Sequence, residues 1–133
     1  MIGINDFLCN KRYWPHGYTI PFHKTYDTLL ELIAINLPRT KVYLSSILPM
    51  NGRPDGLLVK ENVFVYNQEI DIINTFIQEK SKTYKATYLD LNTPFKDHGL
   101  LKDDYTIDGI HLSEKGYQVY LDYLKTIEPT LFI

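Results

Sequence analysis

At 133 residues, with 44% hydrophobic and 23% charged positions, the chain has the size and composition of one globular domain able to bury a core. Its formal net charge of -2 makes no electrostatic case for nucleic acid or an anionic membrane, and no apolar run approaches the ~18 residues of a membrane span. The single cysteine, Cys9, excludes an internal disulfide and a Cys-rich metal site, and reads as a free thiol.

Taken in order, Met1-Ile2 reads as the end of a buried strand and Gly3 as its exit. Asn5 and Asp6 then fall in a loop at the C-terminal edge of a parallel sheet, the edge where open α/β sheets bind ligands. Residues 7–23 are aromatic and irregular, with Phe7, Tyr13, Trp14, Tyr18 and Phe22 set among Pro15, Gly17 and Pro21. This stretch is either a surface loop with aromatic anchors or a loop that touches substrate. Residues 24–36 read as a helix with Tyr26, Leu29, Leu32, Ile33 and Ile35 as its apolar stripe, stopped by Pro38.

Residues 41–48 read as a strand whose apolar core, Val42 to Leu48, suits burial on both faces, with Pro49 closing it. A loop follows over 49–58, rich in Pro, Gly, Asn and Asp, on the same sheet edge as Asn5. Val63, Tyr66, Ile70, Ile73 and Ile77 mark a long helix over 60–80, with the polar Asn67 on or near its stripe. Residues 84–91 read as the next strand. Asp90 at its end either caps the following loop or faces the cleft. Residues 92–107 are a charged loop. Ser113 is an N-cap for a last helix over 114–127 that buries Tyr117, Tyr120, Leu121 and Leu124 and ends before Pro129. Alternating helices and strands predict βα units, right-handed crossovers and a parallel sheet. Two complete strands are few for a sheet buried on both faces, which predicts that the front of an α/β domain is absent.

The chemistry concentrates at Asp108-Gly109-Ile110-His111. An Asp three residues from a His can hold the imidazole in one tautomer and stabilise it when it takes a proton, and imidazole exchanges protons near neutrality. Alone, the spacing is more often that of a structural His capping the last helix. Asp97, His98, Asp103 and Asp104 lie nearby in sequence, but without metal-ligand spacing they read as solvated charge, so no metal and no cofactor are expected.

Two blocks together, Gly3-Ile4-Asn5-Asp6 and Asp108-Gly109-Ile110-His111-Leu112-Ser113 with Gly116-Tyr117, resemble the G-x-N-D and D-x-x-H blocks of the SGNH (GDSL-type) hydrolases. The resemblance covers essentially the whole chain. It implies a partial three-layer α/β/α (flavodoxin-like) parallel sheet, one incomplete domain over 1–133 without its N-terminal strands. It also implies His111 as base, Asp108 as its orienting acid and Asn5 as an oxyanion donor, with Asp6, Trp14 and Tyr18 as substrate-side candidates. The family's serine block has no counterpart here. Ser45 and Ser46 fall in a strand, Ser81 ends a helix and Ser113 is a cap, so no nucleophile is assigned within the chain.

The function so implied is acyl-ester hydrolysis on a small-molecule ester, a carbohydrate O-acetyl ester or a lysophospholipid-like one, with this chain alone expected to be inactive. The alternative is a non-catalytic fragment or pseudoenzyme that binds or assembles, with self-association through an exposed sheet edge.

Overall fold

The computed structural model describes residues 3–5, 7–8, 19–53, 56 and 58–133, with the backbone alone at 19–21. Asp6, Cys9, Trp14 and Tyr18 lie outside the described residues. The chain is mixed α/β and divides into two compact units, Met1–Ile47 with Ile72–Leu89, and Leu48–Asp71 with Asp90–Ile133.

In the first unit, helix α1 (Thr19–Asn36) starts five residues earlier than the sequence pattern suggested. Pro21 falls in its first turn, where backbone N–H groups have no helical partner to lose. The buried face of α1 also differs from the expected one. Phe22 and Leu30 are buried, whereas Leu29, Leu32 and Ile35 are 39%, 53% and 67% exposed. The cause is legible in Leu29-Leu30-Glu31-Leu32-Ile33-Ala34-Ile35, which is apolar on nearly every side, so periodicity cannot choose the face.

Strands β1 (Tyr43–Ser45) and β2 (Thr87–Leu89) pair in parallel, with Leu44 opposite Tyr88. Both are shorter than the apolar runs that contain them. Beyond β1 the chain stays buried from Ser46 to Asn51 without continuing the ladder. Helix α2 (Lys60–Thr83) explains how. In the first unit, Asn74 accepts from Ile47 N–H at 2.7 Å and donates to Ile47 C=O at 2.9 Å. A side-chain amide thus stands in for a neighbouring strand's peptide, satisfying backbone groups that would be costly to bury unpaired. At the end of α2, Lys85 takes a left-handed φ of 55°, and Ala86 N–H donates back to Ser81 C=O at 2.8 Å.

In the second unit, the first half of α2 buries Val63 and Ile70. Asn67 repeats the clamp, accepting from Met50 N–H and donating to Met50 C=O and Gly99 C=O, each at 2.8 Å. The stretch expected as a charged loop holds a small antiparallel hairpin, β3 (Lys96–Asp97) and β4 (Leu100–Leu101). Its two turn residues, His98 and Gly99, both have positive φ, as a tight hairpin of this hand requires. Asp90 Oδ1 accepts from Asn92 and Thr93 N–H at 3.1 Å each, so it caps the turn that follows β2.

Helix α3 (Glu114–Ile127) has the expected bounds, and Ser113 Oγ accepts from Gly116 N–H at 3.1 Å as its N-cap. Its burial is lighter than expected, since Tyr117 and Leu121 are exposed. The closest approach is at Gly116, where an added Cβ would lie 2.3 Å from Tyr105 C=O. Among the described residues, no helix is long and apolar enough to cross a membrane.

Candidate active site

Asp108 and His111 lie in the second unit, on the loop that leads into α3. The loop is closed by its own hydrogen bonds. Thr106 pairs with Leu112 as an isolated bridge, Ile107 N–H donates to His111 C=O at 3.0 Å, and Thr106 Oγ1 donates to the same carbonyl at 2.8 Å. Gly109 N–H donates to Thr106 Oγ1 at 2.8 Å, and Ser113 N–H to Tyr105 C=O at 2.9 Å.

Within this frame Asp108 Oδ1 accepts from Ile110 N–H at 3.0 Å and His111 N–H at 2.8 Å. Its other oxygen, Oδ2, accepts from His111 Nδ1 at 2.7 Å. An ionised carboxylate only accepts, so this contact puts the ring proton on Nδ1 and leaves a lone pair on Nε2. The imidazole is 70% exposed and Asp108 29% exposed, so the carboxylate is the sheltered partner and the ring the accessible one. Partial burial pushes the Asp108 carboxyl up. The hydrogen bonds from the His111 backbone, the His111 ring and the Ile110 backbone, together with the ring's electrostatic attraction, outweigh it and bring the group down to about 2.

A second segment supports the loop. Asn51 N–H donates to Gly109 C=O at 2.8 Å, and the Asn51 side chain donates to Leu101 C=O at 2.6 Å and to Asp103 Oδ1 at 2.7 Å. Gly109 has φ of 89°, and a Cβ there would sit 2.3 Å from Asn51 C=O, so no other residue fits without moving the loop. Two residues further on, Arg53 Nη1 lies 3.9 Å from Asp108 Oδ2. A cleft of about 510 Å³ borders the loop, lined by Arg53, Leu58, Val59, Lys60, Ile107 and Gly109 among others. Asp108 and His111 themselves do not line it.

Asn5 is exposed and helical in the first unit, where a loop was expected, with Phe7 N–H donating to Gly3 C=O at 2.9 Å. Gly3 is buried against Ile47, and a Cβ there would come within 2.6 Å of that side chain. The substrate-side candidates Asp6, Trp14 and Tyr18 fall outside the described residues. Of the serines, Ser46 and Ser81 are buried in the first unit, and Ser81 Oγ donates to Gln78 C=O at 2.7 Å. Ser113 Oγ donates to Asp104 C=O at 2.7 Å while capping α3. Asn51, Arg53 and Thr106 were missed by sequence reasoning. The available signals were a polar Asn-Gly-Arg run straight after a strand's end and a hydroxyl two residues before the Asp.

An imidazole held by a carboxylate, on a loop that enters a helix of an α/β fold, has the geometry that acid–base chemistry in hydrolases calls for. The family model of the GDSL-like lipases/acylhydrolases matches residues 1–119, and the chain belongs to that family. A GDSL-like lipase from Bacteroides thetaiotaomicron VPI-5482 superposes with a TM-score of 0.72 at 24% identity, over 98% of this chain and 60% of its own. An acylhydrolase candidate from Bacteroides fragilis NCTC 9343 gives 0.72 at 21% identity, over 97% and 59%. At those identities the two speak for the fold alone. A candidate platelet activating factor from Streptococcus pneumonia gives 0.67 at 30% identity, over 79% of this chain and 49% of its own. The chain thus spans 49–60% of the length of these solved structures. No curated protein matches it.

Proposed function

We propose that this chain carries the acid–base half of a serine ester hydrolase. His111 is the general base and then acid, Asp108 its orienting carboxylate, and Asn5 a side-chain donor to the oxyanion. Asp6, Trp14 and Tyr18 remain the substrate-side candidates that the family resemblance suggests. The observation that carries the reading is the 2.7 Å contact from His111 Nδ1 to Asp108 Oδ2, made by an imidazole that is 70% exposed. In this mechanism Nε2 takes the proton of an attacking serine hydroxyl, the ester carbonyl becomes a tetrahedral oxyanion, and the imidazolium returns the proton to the leaving alcohol. Water then repeats the sequence on the acyl-enzyme. No serine of these 133 residues is assigned as the nucleophile, since Ser45 lies in β1, Ser46 and Ser81 are buried and Ser113 caps α3. The substrate is a small acyl ester, with an acetylated carbohydrate and a lysophospholipid-like ester as the classes to compare.

The test is hydrolysis of p-nitrophenyl acetate by this chain beside its His111→Ala variant. The expected result is no rate above the variant, with His111-dependent hydrolysis gained when the flanking coding sequence of the gene is expressed with it. A His111-dependent rate in the chain alone would overturn the placement of the nucleophile.

The competing reading is a non-catalytic binding or assembly module. It is favoured by the exposed apolar side chains Leu29, Leu32 and Ile35 on α1 and by a parallel sheet of two short strands among the described residues.

A further inference from the structure

We infer that Thr106 is a positioning residue for the Asp108–His111 pair. Its side-chain hydroxyl clamps the turn at Gly109 and at the His111 carbonyl, and so fixes the spacing between the carboxylate and the ring. The inference rests on reading those two residues as the acid–base pair, but it is tested on the geometry of the turn and needs no ester hydrolysis.

The turn divides its hydrogen bonds between two side chains. Asp108 Oδ1 takes the N–H groups of Ile110 and His111, at 3.0 and 2.8 Å. Those bonds orient the carboxylate against the residues that follow it, and they leave Gly109 N–H and His111 C=O to other partners. Thr106 Oγ1 serves both. It accepts from Gly109 N–H at 2.8 Å and donates to His111 C=O at 2.8 Å. A hydroxyl has one proton to give and lone pairs to receive, so a single atom makes both bonds. Neither a carboxylate, which only accepts, nor an ammonium, which only donates, could replace it. Thr106 is itself held in extended backbone, with φ of -130° and ψ of 152°, in a bridge to Leu112.

The places of the two bonds decide what they do. Gly109 follows the acid directly, is buried and takes φ of 89°. Its carbonyl is held by Asn51 N–H at 2.8 Å, so the hydroxyl on its N–H completes a grip on both sides of the residue. The His111 carbonyl also accepts from Ile107 N–H at 3.0 Å. With both bonds on that carbonyl, the backbone carrying the imidazole has little freedom to swing Nδ1 away from Asp108 Oδ2, 2.7 Å distant. The ring depends on this backbone because, at 70% exposure, packing around it is slight. The threonine methyl adds to the effect, since branching at Cβ narrows χ1 and lowers the entropy lost in aiming the hydroxyl.

The experiment is NMR relaxation of the His111 ring and of the backbone amides of residues 107–113 in the intact chain, with His111 assigned from the His111→Ala spectrum. In the unmodified chain the Gly109 to His111 amides are expected near the ~0.85 order parameter of rigid backbone, and in Thr106→Val they should fall toward about 0.6, with the ring losing order in step. Thr106→Ser, which keeps the hydroxyl, should recover most of the order. Ser113→Ala is the control. It removes the hydroxyl that caps α3 and donates to Asp104 C=O, weakening the neighbouring structure without touching either bond of Thr106, and the His111 ring should keep its order. An unchanged ring in Thr106→Val overturns the proposal, as does equal loosening in Ser113→Ala or in Thr106→Ser. Should Thr106→Val fail to fold, the χ1 couplings of Thr106 in the unmodified chain decide. A single rotamer is the expected result, and rotamer-averaged values overturn the clamp. Absence of ester hydrolysis in every form of the protein would defeat the functional reading, while a ring loosened by Thr106→Val would leave the clamp standing.

Discussion

Asp108 accepts three hydrogen bonds from its own loop, and those bonds set a pH window. The folded carboxyl is depressed to about 2, below the ~3.9 of an unfolded Asp. A depressed acid stabilises the folded loop above the unfolded value and loses that contribution as pH falls through the folded one. The loop should therefore hold from neutrality to about pH 4 and loosen between about 4 and 2. Amide shifts of Ile110 and His111 read this directly, and Asp108→Asn should abolish the transition in that window. On the proposed mechanism, Asp108→Asn in any form of the protein that hydrolyses esters should also cut kcat by roughly 10⁴, because an amide can favour the wrong imidazole tautomer. An unimpaired variant would remove Asp108 from the mechanism. This pair was legible in the sequence because its two members share one turn. Arg53 and Asn51 were not, because only the folded chain brings the segment after β1 to that turn.

At the scale of elements, the sequence pattern located the helices better than their faces. The stripe of α2 was readable because Val63, Ile70 and Ile77 recur every seven residues against a polar background, and the stripe of α1 was not, because its C-terminal half is apolar nearly all round. Asn67 stood out in the sequence as a polar residue on an apolar face, but its use depends on a backbone 17 residues away. Asn67→Ala would leave Met50 N–H buried without its acceptor and should cost about 2–3 kcal/mol, seen as a lower urea midpoint at unchanged slope. Ser81→Ala lies on the same helix but removes only a bond to its own turn, and should cost less than about 1 kcal/mol. A cost for Asn67→Ala no larger than that control would mean the clamp is not what holds the buried segment. Gly109→Ala must both leave a positive φ and clear Asn51 C=O, so it should destabilise by about 2 kcal/mol or more and broaden the His111 resonance.

For the whole molecule, the alternation of helices and strands was enough to give the α/β class and the parallel pairing of β1 with β2. It could not give strand lengths, because side chains of α2 take over backbone groups that a longer ladder would have used. Nor could it say where the uncovered apolar surface would lie. That surface supplies the remaining prediction. Leu32 and Ile35 are 53% and 67% exposed on α1, so they contribute little to the folded core and are free to contribute to association. If the chain assembles, sedimentation should show species above the monomer at tens of micromolar, and the double change Leu32→Glu with Ile35→Glu should return it to monomer. Because both side chains are exposed, the unfolding midpoint of the monomer should move by no more than the ~0.5 kcal/mol usual for surface changes. A shift in oligomeric state with no loss of stability would place the contact on α1. Dissociation accompanied by a large loss of stability would mean these residues serve the fold instead, and a monodisperse unmodified chain would remove the assembly reading and leave the acid–base half of a hydrolase as the function to pursue.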